Sequence, residues 1–285
     1  MHWQTTRFQI DLSRPRVMGI VNVTPDSFSD GGQHASPALA IECCERLVLE
    51  GADILDIGGE SSRPGAASLS IDEEWVRIAP VLAAALTLGV AVSVDTCKAE
   101  VMSRALDLGV DVINDIHALQ DPQALSVVQG HPSSGVCLMH MRGTPATMQT
   151  LTAYDDLLGN VAGFLANRAA ALQLAQIAPQ RIVLDPGYGF AKTTAQNFEL
   201  LARQAELLDL GYPLLVGWSR KRALGDVTGR AVDQRLAGSL AAGLAAIAQG
   251  AKILRVHDVA ATVDAIKVWS AASAQMTSRH FAERQ

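Results

Sequence analysis

Only four cysteines, Cys43, Cys44, Cys97 and Cys137, occur in the 285-residue chain. They are too few to staple a protein of this size, and no Cys-x-x-Cys or Cys/His ligand spacing is present, so a disulfide framework and a zinc site are excluded. Basic runs are absent too. With 23 Lys and Arg against 29 Asp and Glu the net charge is −6, and the molecule as a whole repels nucleic acid and anionic membrane. No apolar stretch is long enough for a membrane span: the best, LAGSLAAGLAAIAQG at 236–250, falls short of the ~20 residues needed and reads as a buried helix. The opening MHWQTTRFQIDLSRPR lacks the apolar core of a signal peptide. Together these absences predict a cytoplasmic protein with reduced thiols and no nucleic-acid or membrane partner. P-loop, GxGxxG, HExxH and GxSxG patterns are missing as well. Nucleotide hydrolysis, dinucleotide redox chemistry, zinc proteolysis and serine-hydrolase chemistry therefore have no motif.

What the chain does contain is 49% hydrophobic residues, ample for a continuous core. Short β-branched runs recur at 17–23, 53–58, 90–95, 111–115, 136–140, 181–187, 213–219 and 252–258. They are unbroken apolar stretches, as strands buried on both faces of a parallel sheet require. Helix-period segments at 36–50, 72–88, 98–109, 121–130, 154–177, 195–209, 233–249 and 258–273 lie between them. Start signals include Ser36 before Pro37, Asp72 before two glutamates and Asp121 before Pro122. Eight strand–helix units predict an α/β chain forming a (β/α)8 TIM barrel, with an open doubly wound sheet as the alternative. Residues 1–16 read as a hairpin or cap at the barrel bottom, and the absence of any Pro/Gly/Ser-rich linker predicts one domain over 1–285.

Two connections are long and polar, at 22–36 and 58–71, where most strand-to-helix loops need two to six residues. They read as active-site loops. Nearly every strand also finishes in a hydrogen-bonding side chain: Asn22, Asp56 with Glu60, Asp95, Asn114 with Asp115, His140, Asp185, Ser219 with Lys221, and Arg255 with His257. Barrel enzymes build their sites at that end of the strands. Asp95, Asn114 and Asp185 suit a heterocycle with an amidine-like N–H edge, such as guanine or a pterin. Lys221, Arg63, Arg255 and His257 suit phosphate. Asn22 suits a Mg2+ ion whose other ligands are water and substrate phosphate.

The segments MGIVNVTPDSFSDGG (18–32), DIGGESSRPGA (56–66), VSVDT (92–96), VINDI (112–116), LDPGYGFAKT (184–193), GWSRK (217–221) and RVHD (255–258) together resemble the dihydropteroate synthase family, in order, over about 17–270. The resemblance implies a folate-pathway barrel that joins 6-hydroxymethyl-7,8-dihydropterin pyrophosphate to p-aminobenzoate, releases pyrophosphate and is inhibited by sulfonamides. It places Asn22 at a Mg2+–pyrophosphate, and Asp95, Asn114, Asp185 and Lys221 around the pterin. Met139, Gly217 and Phe190 line that pocket, and Arg255 stacks on the ring. Arg63, Arg255 and His257 meet the pyrophosphate. Ser61, Ser62, Pro64, Phe190 and Lys221 shape the aminobenzoate pocket, closed by Phe28. It also implies a homodimer. The chain departs from the family's common ESTRPG at Ser62, losing a methyl worth roughly 1 kcal/mol in the aminobenzoate wall. A dissociative, SN1-like substitution fits these residues. The rivals are a pterin-binding methyltransferase and a non-catalytic pterin-binding barrel. The first needs neither the NVTPDSFSDGG loop nor the SRK segment, and intact Asn22, Arg63, Lys221 and His257 argue against the second.

Overall fold

The computed structural model describes residues 1–24, 36–61 and 68–282. Eight strands run parallel: β3 (Arg16–Asn22), β4 (Ile54–Gly58), β5 (Ala91–Asp95), β6 (Val112–Asp115), β7 (Gly135–Met139), β8 (Ile182–Asp185), β9 (Leu215–Val216) and β10 (Ile253–Val256). Their order, β8-β7-β6-β5-β4-β3-β10-β9, leaves one seam, and a parallel bridge between Leu184 and Leu214 closes it. That closure makes the fold a (β/α)8 barrel and removes the doubly wound alternative. Helices α1 (Ser36–Leu49), α2 (Ile71–Ala85), α3 (Ala99–Leu108), α4 (Pro122–Gly130), α5 (Leu157–Leu174), α6 (Thr194–Ala202), α7 (Arg222–Thr228), α8 (Leu236–Ala248) and α9 (Val259–Ala282) follow the strands.

The unbroken apolar runs hide a period of two. One parity, including Val17, Val21, Leu55, Ile57, Val92, Val94, Leu138 and Leu184, points outward into the layer shared with the helices. The other parity points into the barrel, where successive strand residues must face opposite sides. Its lower tier is apolar: Met18, Ile54, Ala91, Val112, Cys137, Val183, Leu215 and Ile253.

Residues 1–16 form the predicted hairpin, β1 (His2–Gln4) with β2 (Gln9–Asp11), antiparallel. Its Trp3, Ile10 and Leu12 join the apolar tier from below, and Trp3 is fully buried. Removing ~200 Å2 of tryptophan surface from water is worth about 5 kcal/mol. Two polar links set the hairpin's position: Trp3 Nε1 donates to the Arg181 carbonyl at 2.9 Å, and Arg7 donates to the buried Asp111 carboxylate at 2.6 Å.

Helix starts follow side-chain chemistry. Asp121 caps α4 through the Gln123 amide at 2.9 Å, with Pro122 at the first helical position. Helix α2 begins one residue earlier than Asp72 suggests, because Ser70 and Glu73 form a reciprocal capping box and Asp72 sits inside the first turn. Four segments depart further from the sequence reading. The helix at 195–209 breaks into α6 and a 3-10 stretch, Gln204–Leu210, while the one at 233–249 begins with a short 3-10 turn, Val232–Gln234. Strand β9 pairs over two residues only, because the chain leaves the ladder at Gly217. Helix α7, with Gly225 at its centre, has no periodic signature; the Arg235 guanidinium packs where a Cβ on Gly225 would lie. Among the described residues no helix is long and apolar enough to cross a membrane.

Candidate active site

Continuing the inward parity upward replaces the apolar tier with polar side chains. Asp56 follows Ile54, Ser93 and Asp95 follow Ala91, Asn114 follows Val112, Asp185 follows Val183, and Arg255 follows Ile253. Register brings several together: Asp56 lies beside Ser93, Asp95 beside Asn114, and Met139 beside Asp185. These strand ends open into a cleft of about 1170 Å3. Its wall includes Asn22, Ser61, Asp95, Asn114, Met139, Asp185, Phe190, Gly217, Lys221, Arg255 and His257. Phe28, Ser62, Arg63 and Pro64, also singled out from the sequence, lie outside the described residues.

The hub of the mouth is Asp56, fully buried. It accepts from Ser93 Oγ at 2.6 Å, Asn114 Nδ2 at 3.1 Å and Arg255 Nε at 2.6 Å. The same guanidinium reaches across to Asp95 Oδ2 at 2.7 Å. Arg255 thus bridges two carboxylates with two of its five donors. Burial opposes its charge, but Asp56 and Asp95 outweigh that and hold it firmly protonated. Burial pushes the Asp95 carboxyl up to about 7, with Arg255 opposing the rise. Asp95 thus retains Oδ1 for a ligand, oriented by a planar cation beneath it.

Across the mouth, burial also raises the Asp185 carboxyl, which accepts the Gly187 amide at 2.7 Å through Oδ1. Lys221 lies 4.3 Å from the centre of the Phe190 ring. Burial lowers its ammonium to about 8, and Asp185 works against that fall. Lys221 is aimed inward by a strained step, since Arg220 before it takes φ +59°. Arg220 is tied to Asp258 at 2.6 Å, and its amide to Ser239 Oγ at 2.9 Å, which over-determines the bend. His257 closes this side, its Nδ1 3.0 Å from Ser219 Oγ. Trp218 points away from the cleft, packed between Tyr188 and Phe198 with ring centroids at 4.6 and 5.3 Å.

The supports are Ser93, which the sequence reading passed over, and Asp56, His140 and Glu60, which it named at the strand ends without a ligand-binding role. Ser93 stands out once the inward parity is followed up from Ala91. His140 is buried at the end of β7, edge-on to Phe164 at 5.2 Å, and burial lowers its ring to about 2, so it is neutral. Glu60, at the entry to the second long loop, is held with buried Glu74 by Lys98.

A barrel whose mouth presents buried and half-buried acids for a polar ring edge and a half-buried cation over an aromatic is that of a pterin-binding enzyme, and the family described as "Pterin binding enzyme" matches residues 18–257. The dihydropteroate synthase of Neisseria meningitidis serogroup B is 51% identical over 275 residues, 94% of this chain and 96% of that protein. The Xanthomonas albilineans dihydropteroate synthase solved with 7,8-dihydropteroate superposes with a TM-score of 0.88 at 46% identity, covering 96% of this chain and 99% of that one. The Yersinia pestis dihydropteroate synthase solved with a sulfonamide drug gives 0.91 at 45% identity, covering 96% and 100%. The chain belongs to the dihydropteroate synthase family, enzymes that transfer a pterin group.

Proposed function

We propose that this chain joins 6-hydroxymethyl-7,8-dihydropterin pyrophosphate to p-aminobenzoate, giving 7,8-dihydropteroate and pyrophosphate. The observation that carries the reading is a pair of acids, half-buried Asp95 and buried Asp185, facing one mouth with Asn114 between them and the Lys221–Phe190 pair beside it. Asp95 and Asp185 accept from the ring's amidine-like edge, and Asn114 supplies a neighbouring donor and acceptor. Met139 and Gly217 form the flat walls. The plane of Arg255, already locked by Asp56 and Asp95, stacks on the ring, and its remaining donors meet the pyrophosphate.

In the reaction the bond between the exocyclic methylene carbon and the pyrophosphate oxygen breaks, and its electron pair leaves with pyrophosphate. The methylene–pterin cation left behind is stabilised by the carboxylates of Asp95 and Asp185. The weakly basic arylamine then attacks the methylene, a C–N bond forms, and the surplus proton passes to solvent or to departing pyrophosphate. His257 and Arg63 meet the leaving group, and Lys221 holds the aminobenzoate against Phe190. Ser61, Ser62, Pro64 and Phe28 complete that pocket and exclude water, which otherwise captures the cation.

Asn22 offers one neutral oxygen at the end of β3, and among the described residues no cluster of three His, Cys, Asp or Glu could hold a metal. That donor set fits Mg2+ arriving on the pyrophosphate, with phosphate and water as its remaining ligands. Such an ion would supply charge neutralisation on the leaving group. Cytoplasmic location, sulfonamide binding in the aminobenzoate pocket and homodimer assembly belong to the same proposal.

Incubation with both substrates and Mg2+ tests the reading. Aminobenzoate-dependent pyrophosphate release is the expected result; no release, or release that ignores aminobenzoate, rejects it. Positional isotope exchange in labelled pterin pyrophosphate without aminobenzoate tests the dissociative step. Scrambling of the bridging oxygen supports it; the absence of both scrambling and capture by water rejects it.

A further inference from the structure

The turn from β8 into α6 begins at Asp185 and carries Phe190, and two buried side chains grip it from within. Lys192 is 3% exposed. Its Nζ donates to the carbonyls of Gly187 at 2.9 Å and Phe190 at 3.1 Å, and lies 3.0 Å from His140 Nδ1. Asn197, 2% exposed, accepts the Gly189 amide at 2.6 Å and donates to the carbonyls of Thr193 at 2.7 Å and Lys192 at 3.3 Å.

An ammonium has three protons, and here each has one neutral acceptor. Burial lowers that ammonium to about 7 even though the Asp185 carboxylate opposes the fall, and a methionine of similar length would fill the space without the penalty. A polar group there therefore needs a reason. The turn supplies one: Gly187, Gly189 and Ala191 take φ of +70°, +83° and +50°. A left-handed alanine is unfavourable and persists only where its surroundings enforce it. The fit is close as well, since a Cβ on Gly187 would meet the His140 carbonyl oxygen at 1.9 Å, and one on Gly189 would meet Lys221 Cδ at 3.1 Å.

We propose that Lys192 is a positioning residue for pterin transfer: by gathering the carbonyls of Gly187 and Phe190 and the ring of His140, it sets the turn that aims Asp185 at the pterin and lays Phe190 against Lys221. The neutral His140 ring accepts at Nδ1 and so carries its proton on Nε2. Lys192 touches no reacting atom in this account. It rests on the substrate assignment made under Proposed function.

The test is Lys192→Met, assayed for both substrates well below its melting temperature. The inference predicts that KM rises about tenfold or more for pterin pyrophosphate, and also for aminobenzoate, as expected when binding groups shift by part of an ångström. In a Phe190→Ala background the aminobenzoate effect of Lys192→Met disappears, because the ring being positioned is gone; a general loosening would leave it in place. Should Lys192→Met not fold, His140→Leu removes one acceptor and predicts the same pattern at about threefold. Both KM values staying within about twofold of the parent, whatever the loss in melting temperature, overturns the inference. A parent chain without aminobenzoate-dependent turnover would instead overturn the substrate assignment, so the two failures are distinguishable.

Discussion

The lower and upper tiers of this barrel are built from the same strands with the same parity, yet they use buried space in opposite ways. Below, Met18, Ile54, Val183, Leu215 and Ile253 meet Trp3 and Leu12 of the hairpin, and every contact favours the fold. Above, Asp56, Asp95, Asp185, Lys221 and Arg255 are withdrawn from water, and burial works against the charge of four of them, Asp95, Asp185, Lys221 and Arg255. Buried ions are poor stabilisers. The difference teaches that the lower tier holds the barrel together, while the upper tier is kept polar for what it binds.

That contrast breaks if a change below alters chemistry or a change above alters only stability. Trp3→Ala should cost about 4 kcal/mol of unfolding free energy, the usual penalty for emptying a tryptophan site. Both KM values should match the parent wherever the variant is folded; denaturant titration beside steady-state assays checks this. Lys221→Met should do the reverse. We expect kcat/KM to fall about 10²-fold, near 3 kcal/mol of transition-state stabilisation, with a melting temperature equal to or above the parent's because a half-buried cation is gone.

The pH dependence of stability sharpens the comparison, since the titrating groups are in the upper tier. Asp95 is raised from 3.8 to about 7, so its contribution is present below pH 4 and is lost as pH climbs to 7. Lys221 is lowered from 10.5 to about 8, so its contribution is present above 10.5 and is lost as pH falls through 8. Between about 7 and 8 both groups are charged, and the ligand-free mouth is at its most strained. Melting curves from pH 4 to 8 should show a decline that flattens in Asp95→Asn; an equal decline in that variant contradicts the assignment. The smallest effect expected is for Gly189→Ala, about 1 kcal/mol in stability from its φ of +83°. A modest rise in aminobenzoate KM should accompany it as the methyl presses on Lys221.

The sequence carried the tiers unevenly. Strand positions, the hairpin and the polar strand ends were legible because parallel strands need apolar runs and barrel enzymes keep their polar residues at one end. Asp95, Asn114, Asp185, Lys221 and His257 do share one mouth. The partnerships were not legible. Asp56 and Arg255 are 199 positions apart, and only closure of the barrel through β10 and β3 brings them together. The grip of Lys192 on His140 spans 52 positions and two strand ends, with no local pattern to announce it. Helix α7 escaped because Gly225 and the β-branched Val227 and Thr228 weaken its helical signature.

Calorimetric titration of a 6-hydroxymethylpterin ligand into the parent chain and Asp185→Asn puts the whole reading to one trial. If the mouth keeps its acids for the ring, Asp185→Asn binds about 10²-fold more weakly, matching the loss of a charge-assisted hydrogen bond, and melts no lower than the parent. Unchanged affinity, or a matching loss of stability, would show that Asp185 serves the fold instead and would contradict the account.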